Sequence, residues 1–383
     1  MAFLLPAVKP ARSRRPCRFA GVGWGRSAWP TRHGFHPRLV TFKPFGLAKQ
    51  LLHLQWGNED VACNVSTGAS ITVAVLPLST FSSQLFLPLP DIFIQFLEMK
   101  NSCLVLEGGG LRGAFTSGVL EYLLEQEICF DRVIGVSAGA CVGASYVSGQ
   151  KGRNKLVNVE YPSDKRYMGW KYLFTTGSYF NMKFVFGELP VKLVPFDETA
   201  FYANSTEFEA ITTSCDTGEA VAFGKEAMAT MGIDHVLVAS SSIPLLSQPA
   251  PVGEKLYFDG GVSDSIPVLH ALQRSEKAVV VLTRPRGYRK GRIGNKLLLK
   301  LVFRKYPAFL KTLLARNESY NKTLELCEQL ELEGKLFLIV PSPEFSIGRT
   351  EKSLQKRMAL YDHGYALMAE KRGELERFLV NEK

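Results

Sequence analysis

The pentapeptide GVSAG, residues 135–139, sets one serine between two glycines at the end of a β-branched run. A serine hydroxyl is a weak nucleophile until a base accepts its proton and donors hold the negative charge that develops on the attacked carbonyl. Gly135 and Gly139 let the chain turn sharply from a strand into a helix, a setting that exposes the Ser137 hydroxyl, and the helix N-terminus favours negative charge beside it. Taken alone the pentapeptide is a weak signal, because a strand-to-helix turn with a capping serine has the same composition.

The donors are sought in LEGGGLRGAF, residues 106–115. Three consecutive glycines at a strand-to-helix junction present main-chain amides with no side chain in the way. GGGLRG formally satisfies GxGxxG, so a dinucleotide pyrophosphate is a rival occupant. That site needs an acid at the carboxyl end of the second strand, where this chain has Gly135, Val136 and Ser137; Asp131 lies at the other end of DRVIGVS. No lysine followed by Ser or Thr closes the glycine run, so it is not a P-loop. Adjacent parallel strands bring their carboxyl ends together, so the glycine loop and the Ser137 turn should face one crevice. An oxyanion hole made by Gly108, Gly109 and Gly110 is then the better fit. Arg112 either adds positive potential there or forms a surface ion pair at a helix start.

The base is sought among six histidines and the carboxylates. His33, His36 and His53 lie in a compositionally distinct N-terminal stretch, and His235 begins an apparent strand. Only His270 and His363 would complete a Ser-Asp-His order, and IPVLHALQ reads as an ordinary helix around His270. In KLYFDGGVSDSIP, Asp259 ends a strand and is followed by Gly260 and Gly261. A carboxylate held there could take the Ser137 proton directly if burial raised its pKa. An Asp-Gly turn is the plain alternative, and Asp264 is the second candidate.

The elements needed to position these residues follow from hydrophobic periodicity. SCLVLEG and DRVIGVS read as short buried strands, with a helix over LRGAFTSGVLEYLLEQE between them and ACVGASYVSG after the second. That is a βαβ unit, which implies a parallel sheet covered on both faces. Further strands are predicted at EAVAFG, HVLVAS, KLYFDGG, KAVVVLTRP and KLFLIVPS, with helices over 296–330, broken near Pro307, and 351–379. The fold class expected is α/β, a three-layer α/β/α sandwich with a mostly parallel central sheet and a C-terminal helical addition. Residues 99–282 form its catalytic domain and 283–383 the addition packed on it.

Composition narrows the partners. The 383 residues carry a formal net charge of +10, but residues 1–98 hold ten Lys or Arg against four Asp or Glu and three of the four tryptophans. The basic excess of the remainder is therefore small, and no basic patch interleaved with aromatics follows Met99, so no nucleic-acid partner is expected. Residues 1–98 are expected to be a poorly ordered or artefactual extension, the natural start lying at Met99. The seven cysteines have neither CxxC spacing nor a His/Cys cluster, which suits a reducing, cytoplasmic compartment and no bound metal. Prolines 77, 88 and 90 and Asp91 interrupt the longest apolar stretch, so no spanning helix is expected. In GRIGNKLLLKLVFRKYPAFLKTLLAR, residues 291–316, Lys296, Lys300 and Arg304 share a face opposite leucines. Those leucines should face a core, although such a helix could also lie on anionic lipid.

The ordered blocks GGGLRG, GVSAG and DGG, with ASSSIPLLSQP before the last, resemble the patatin-like phospholipase family, most closely its bacterial members. The resemblance runs from about residue 102 to 282. It implies a serine acyl hydrolase that cleaves fatty acyl esters through a Ser-Asp dyad and an acyl-enzyme, with neither metal nor organic cofactor. By position it assigns Ser137 as nucleophile, Asp259 as base, and Gly108, Gly109 and Gly110, with Arg112 beside them, to the oxyanion site. Asp264 in DSIP departs from the asparagine many relatives carry. The partner implied is a lipid or acyl ester, reached by peripheral contact with a membrane surface. A lipid-binding protein without turnover and, less favoured, a dinucleotide-binding enzyme are the competing classes.

Overall fold

The computed structural model describes residues 102–380, together with the backbone of 39–40, 61–66 and 72–77. Its contacts divide the chain into two units, residues 1–98 and 99–383. In the first unit β1 (Leu39–Val40), β2 (Val61–Ser66) and β3 (Thr72–Pro77) pair antiparallel in the order β1-β3-β2. The lack of a sustained period gave no reason to expect that small sheet. The remaining residues before 102, with the expectation attached to them, lie outside the described residues.

The second unit is built on an eight-stranded sheet. β4 (Ser102–Leu106), β5 (Arg132–Val136), β6 (Glu207–Ser214), β10 (Lys277–Val281) and β11 (Leu336–Ile339) run parallel in the order β11-β10-β4-β5-β6. β7 (Ala220–Gly224) and β9 (Lys255–Asp259) both pair antiparallel with β6, and β8 (Ala250–Val252) continues from β9. The sheet is therefore mixed, with a parallel centre and an antiparallel end.

β4 shows why the run SCLVL is continuously apolar. Leu104 and Leu106 enter one core with the helices Gly113–Glu125, Ala138–Val147 and Leu354–Glu370. Cys103 and Val105 enter another, completed by Tyr320, Leu324 and Cys327 of the helix Pro307–Leu332. Alternate residues thus face opposite layers, and both layers bury them. The C-terminal residues are not simply laid on this sandwich. They supply β11, and the helix Leu354–Glu370 packs so closely on Gly113–Glu125 that a Cβ at Gly118 would meet the Tyr361 carbonyl.

Two expectations are corrected and one strand had no expectation attached to it. HVLVAS belongs to a helix, Ile233–Ser240, not a strand. Ile233, Val236, Ala239 and Ser240 are its buried residues, a helical spacing that outweighs the strand preference of its valines. β6 was not foreseen, because Glu207 and Glu209 interrupt its apolar pattern, yet it is central to the sheet. The other correction concerns the predicted core leucines: the helix Lys296–Val302 buries Leu299, while Leu297 and Leu301 are 79% and 64% exposed. The break near Pro307 is present, with Pro307 opening the following helix.

Candidate active site

Ser137 joins β5 to the helix Ala138–Val147 with φ 56° and ψ −124°, a left-handed backbone for a residue that has a Cβ. Such strain persists only where surrounding structure holds it. Here the Ser137 amide donates to Ser240 Oγ at 2.9 Å, and that hydroxyl donates to the Ile211 carbonyl at 2.7 Å. Crowding explains the glycines: a Cβ on Gly139 would strike the Leu106 carbonyl, and one on Gly135 would strike the Ala140 backbone.

Sheet register brings the loops together. Leu106 lies opposite Gly135 on one side and Val281 on the other, so the ends of β10, β4 and β5 open at one edge. A Cβ on Gly108 would come within 2.9 Å of the Val136 carbonyl and 3.0 Å of the Ser137 Cβ. Gly110 has φ +57°, which favours glycine, and the next amide, Leu111, donates to the Arg349 carbonyl at 2.9 Å. The amides of Gly108, Gly109 and Gly110 donate to no acceptor among the described residues. Below them the buried Glu107 accepts from the Thr283 amide and hydroxyl at 2.6 and 3.0 Å and from the Tyr320 hydroxyl at 2.8 Å. The loop is thus fixed to residues that follow β10.

Asp259 reaches the same place by a different route. Val136 pairs with Ile211 of β6, and the next β6 residue, Thr212, pairs with Asp259 of antiparallel β9. Ser137 and Asp259 therefore stand level, with β6 between their strands. The Asp259 carboxylate accepts from the Gly261 amide at 2.7 Å. Burial pushes its pKa above the ordinary aspartate range, opposed by a hydrogen bond with the Ser137 side chain, by the Gly261 amide and by the charges of Arg316 and Arg349. A Cβ on Gly260 would meet the Ile211 carbonyl, and the Gly261 carbonyl accepts from Arg316 Nε.

The other candidates fall elsewhere. His270 Nε2 lies 2.6 Å from Glu209 and 2.9 Å from Arg132, and His363 Nε2 accepts from the Ser342 amide at 3.0 Å while stacking on Phe345. Neither lines a cavity with Ser137, and His235 is on the exposed side of its helix. Asp264 does not line the Ser137 cavities. Asp131 accepts from the Ser102 amide at 2.8 Å at the opposite end of the sheet. Of the two readings of Arg112, the surface ion pair is not formed among the described residues: the side chain is buried and lines a cavity with Ser137. Burial, with repulsion from Arg284, holds its guanidinium down to about 10.

Ser137 borders two cavities. One, of about 550 Å³, is walled by Leu111, Tyr167, Phe180, Val185 and Leu237, largely from residues 153–196. That stretch includes wide helical turns over Phe184–Leu193 with Pro190 inside them, and no element was expected there. The other, of about 420 Å³, lies between the glycine loop and residues that follow β10. Sequence reasoning missed Glu107, Ser240, Lys290, Arg316 and Arg349 around the site. A usable signal was the basic run TRPRGYRKGR, residues 283–292, directly after a parallel strand, where ligand sites of such sheets gather.

A mixed three-layer sheet with a serine at a strained strand-to-helix turn, beneath a glycine loop, defines the class to which the comparisons also point. Residues 104–272 match the family model for patatin-like phospholipase, and residues 306–380 match that of a domain of unknown function, DUF6363. The chain carries a patatin-like phospholipase domain. It is 28% identical over 185 residues to the uncharacterized protein YjjU of Escherichia coli (strain K12), covering 47% of this chain and 50% of that protein. The chain thus spans about half the length of that curated relative. Among solved structures, VipD from Legionella pneumophila is similar at 10% identity and TM-score 0.36, covering 85% of this chain and 73% of the other. The type III effector ExoU is similar at 11% and 0.36, covering 73% and 53%.

Proposed function

We propose that the protein is a serine acyl hydrolase that cleaves fatty acyl esters through Ser137 and Asp259. The observation that carries this reading is that a strained serine and a buried carboxylate 122 positions later stand level across β6 and border one cavity, beside three amides that have no acceptor among the described residues. Asp259 takes the proton as Ser137 Oγ attacks the ester carbonyl, and the amides of Gly108, Gly109 and Gly110 receive the oxyanion. Collapse of the tetrahedral intermediate expels the alcohol, which takes the proton back from Asp259 and leaves an acyl-serine. A water then gives a proton to Asp259 and attacks the acyl carbon; Ser137 leaves with that proton, and the carboxylic acid departs. The raised pKa of Asp259 matters because it brings the base closer to the proton it must accept. The apolar cavity bordered by Leu111 and Phe180 takes the acyl chain.

No helix among the described residues is long and apolar enough to cross a membrane. Exposed Leu297, Leu301 and Val302, next to Lys296 and Lys300, instead suit peripheral contact with a lipid surface, which also favours the non-catalytic rival. Hydrolysis of a panel of acyl esters by the full chain separates the two. Turnover lost in both Ser137→Ala and Asp259→Asn supports the hydrolase, whereas liposome binding without Ser137-dependent turnover supports the rival.

A further inference from the structure

The second cavity meets the apolar one at Gly110, Ser137 and Ile243, and its chemistry is opposite. Arg112, Arg284, Lys290, Arg292, Arg316 and Arg349 line it, against the two carboxylates of Glu107 and Asp259. Both carboxylates already accept hydrogen bonds, Glu107 from Thr283 and Tyr320 and Asp259 from the Gly261 amide, and the basic groups outnumber them. None of the six cations has an ion-pair partner within reach among the described residues, whereas Arg286 and Arg289 nearby pair with Glu331 and Glu328 at 2.6 and 2.8 Å.

Arg112 is the most telling of them. It is 8% exposed, and its buried Nε has no hydrogen-bond partner. A guanidinium taken from water without a counter-charge is costly, and like charges around it add to that cost. Lys290 and Arg284 rest on the rings of Tyr320 and Tyr288, at 3.4 and 4.4 Å, contacts that hold a cation without neutralising it. Burial and the neighbouring Arg316 push the Lys290 ammonium below the ordinary lysine range, a shift that a bound anion would reverse. An anion in the chamber relieves every one of these costs at once.

We propose that this chamber receives the phosphate of the ester's alcohol portion, so that the preferred substrates are acyl esters of phosphorylated alcohols carrying a phosphomonoester. The inference rests on the reading of Ser137 as nucleophile, which puts the scissile carbonyl where the two cavities join, acyl chain on the apolar side and alcohol on the basic side. Several cations converging from different elements match a dianion with three free oxygens better than a single carboxylate. Arg112 alone of the six lies within residues 104–272; the others follow β10, and Arg316 and Arg349 fall within residues 306–380. The C-terminal region would thereby set substrate choice for the serine.

The test compares 1-octanoylglycerol 3-phosphate with 1-octanoylglycerol, using the full chain. The expected result is a kcat/KM at least about tenfold higher for the phosphorylated ester, the scale of one charge-assisted hydrogen bond. Lys290→Gln/Arg349→Gln should erase that preference by raising KM for the phosphorylated ester alone. Arg284→Gln gives the same direction should the double variant fold poorly. Glycerol 3-phosphate should compete with both esters, and inorganic phosphate should compete more weakly. Equal kcat/KM on the two esters, with Ser137-dependent turnover intact, overturns the phosphate assignment and leaves the hydrolase reading standing. Phosphate that accelerates neutral-ester turnover without competing would mark a free-anion effector site and also overturn it. Glycerol 3-phosphate bound with no turnover of either ester instead removes the hydrolase reading, and the substrate assignment with it.

Discussion

The two cavities that share Ser137 differ in origin as much as in chemistry. The apolar one is walled by residues 153–196, inserted between the helix after Ser137 and β6. The basic one is walled by the glycine loop and by residues that follow β10. One serine therefore samples a greasy wall and a cationic wall contributed by separate parts of the chain. Ser137 follows a strand of the parallel centre and Asp259 ends a strand of the antiparallel end, while separate stretches of chain wall the two cavities.

The division of labour can be broken at its centre first. Ser137→Ala should lower ester turnover by about 10⁴-fold or more for every substrate while leaving the fold intact, checked by steady-state rates beside thermal melts. Loss confined to one substrate class would mean that the cavities do not converge on one nucleophile.

Asp259→Asn should cost about 10³-fold or more in kcat and raise Tm at neutral pH. The sign follows from burial. A carboxyl with a raised folded pKa binds more protons folded than unfolded, so its stability contribution is full below the ordinary aspartate value and is lost as pH rises through the folded value. The asparagine removes that loss and retains an acceptor for the Gly261 amide. By the same shift, the acid limb of the wild-type kcat/KM profile should lie above the ordinary aspartate range, measurable as rate against pH.

Arg357 ties the stretch 153–196 to the segment that follows Arg349. It is fully buried, and its guanidinium donates to the Val159 carbonyl, the Glu351 carbonyl and Ser163 Oγ at 2.9, 2.9 and 2.6 Å. Arg357→Met leaves those acceptors unsatisfied and should cost about 2 to 4 kcal/mol in denaturant unfolding. Discrimination between long and short acyl chains should fall with it. The smallest effect is expected from Leu237→Trp, which fills the apolar cavity. It should lower kcat/KM for long-chain esters about tenfold and spare short-chain ones, a chain-length series being the check.

How much of this was legible depends on the range of the interaction. The strands around GGG and GVSAG are local in sequence, and their buried runs and glycine turns announce both the elements and the chemistry. Asp259 was legible as a residue type before a double glycine. Its placement was not, because it depends on the register of β6, a strand hidden by Glu207 and Glu209. HVLVAS misled because its valines favour strands, while the spacing of Ile233, Val236 and Ser240 favours the helix that fixes the Ser137 amide. The cations of the second cavity are separated by up to 237 positions, Arg112 to Arg349, and only the folded sheet brings them together. No periodicity encodes such a meeting.

The central claim is that Ser137 is made nucleophilic by Asp259, and a fluorophosphonate probe with adducts located by mass spectrometry tests it most directly. The account predicts one adduct, on Ser137, absent from Ser137→Ala and formed at least about a hundredfold more slowly by Asp259→Asn. An adduct on another residue, or labelling of Asp259→Asn at the wild-type rate, would contradict it.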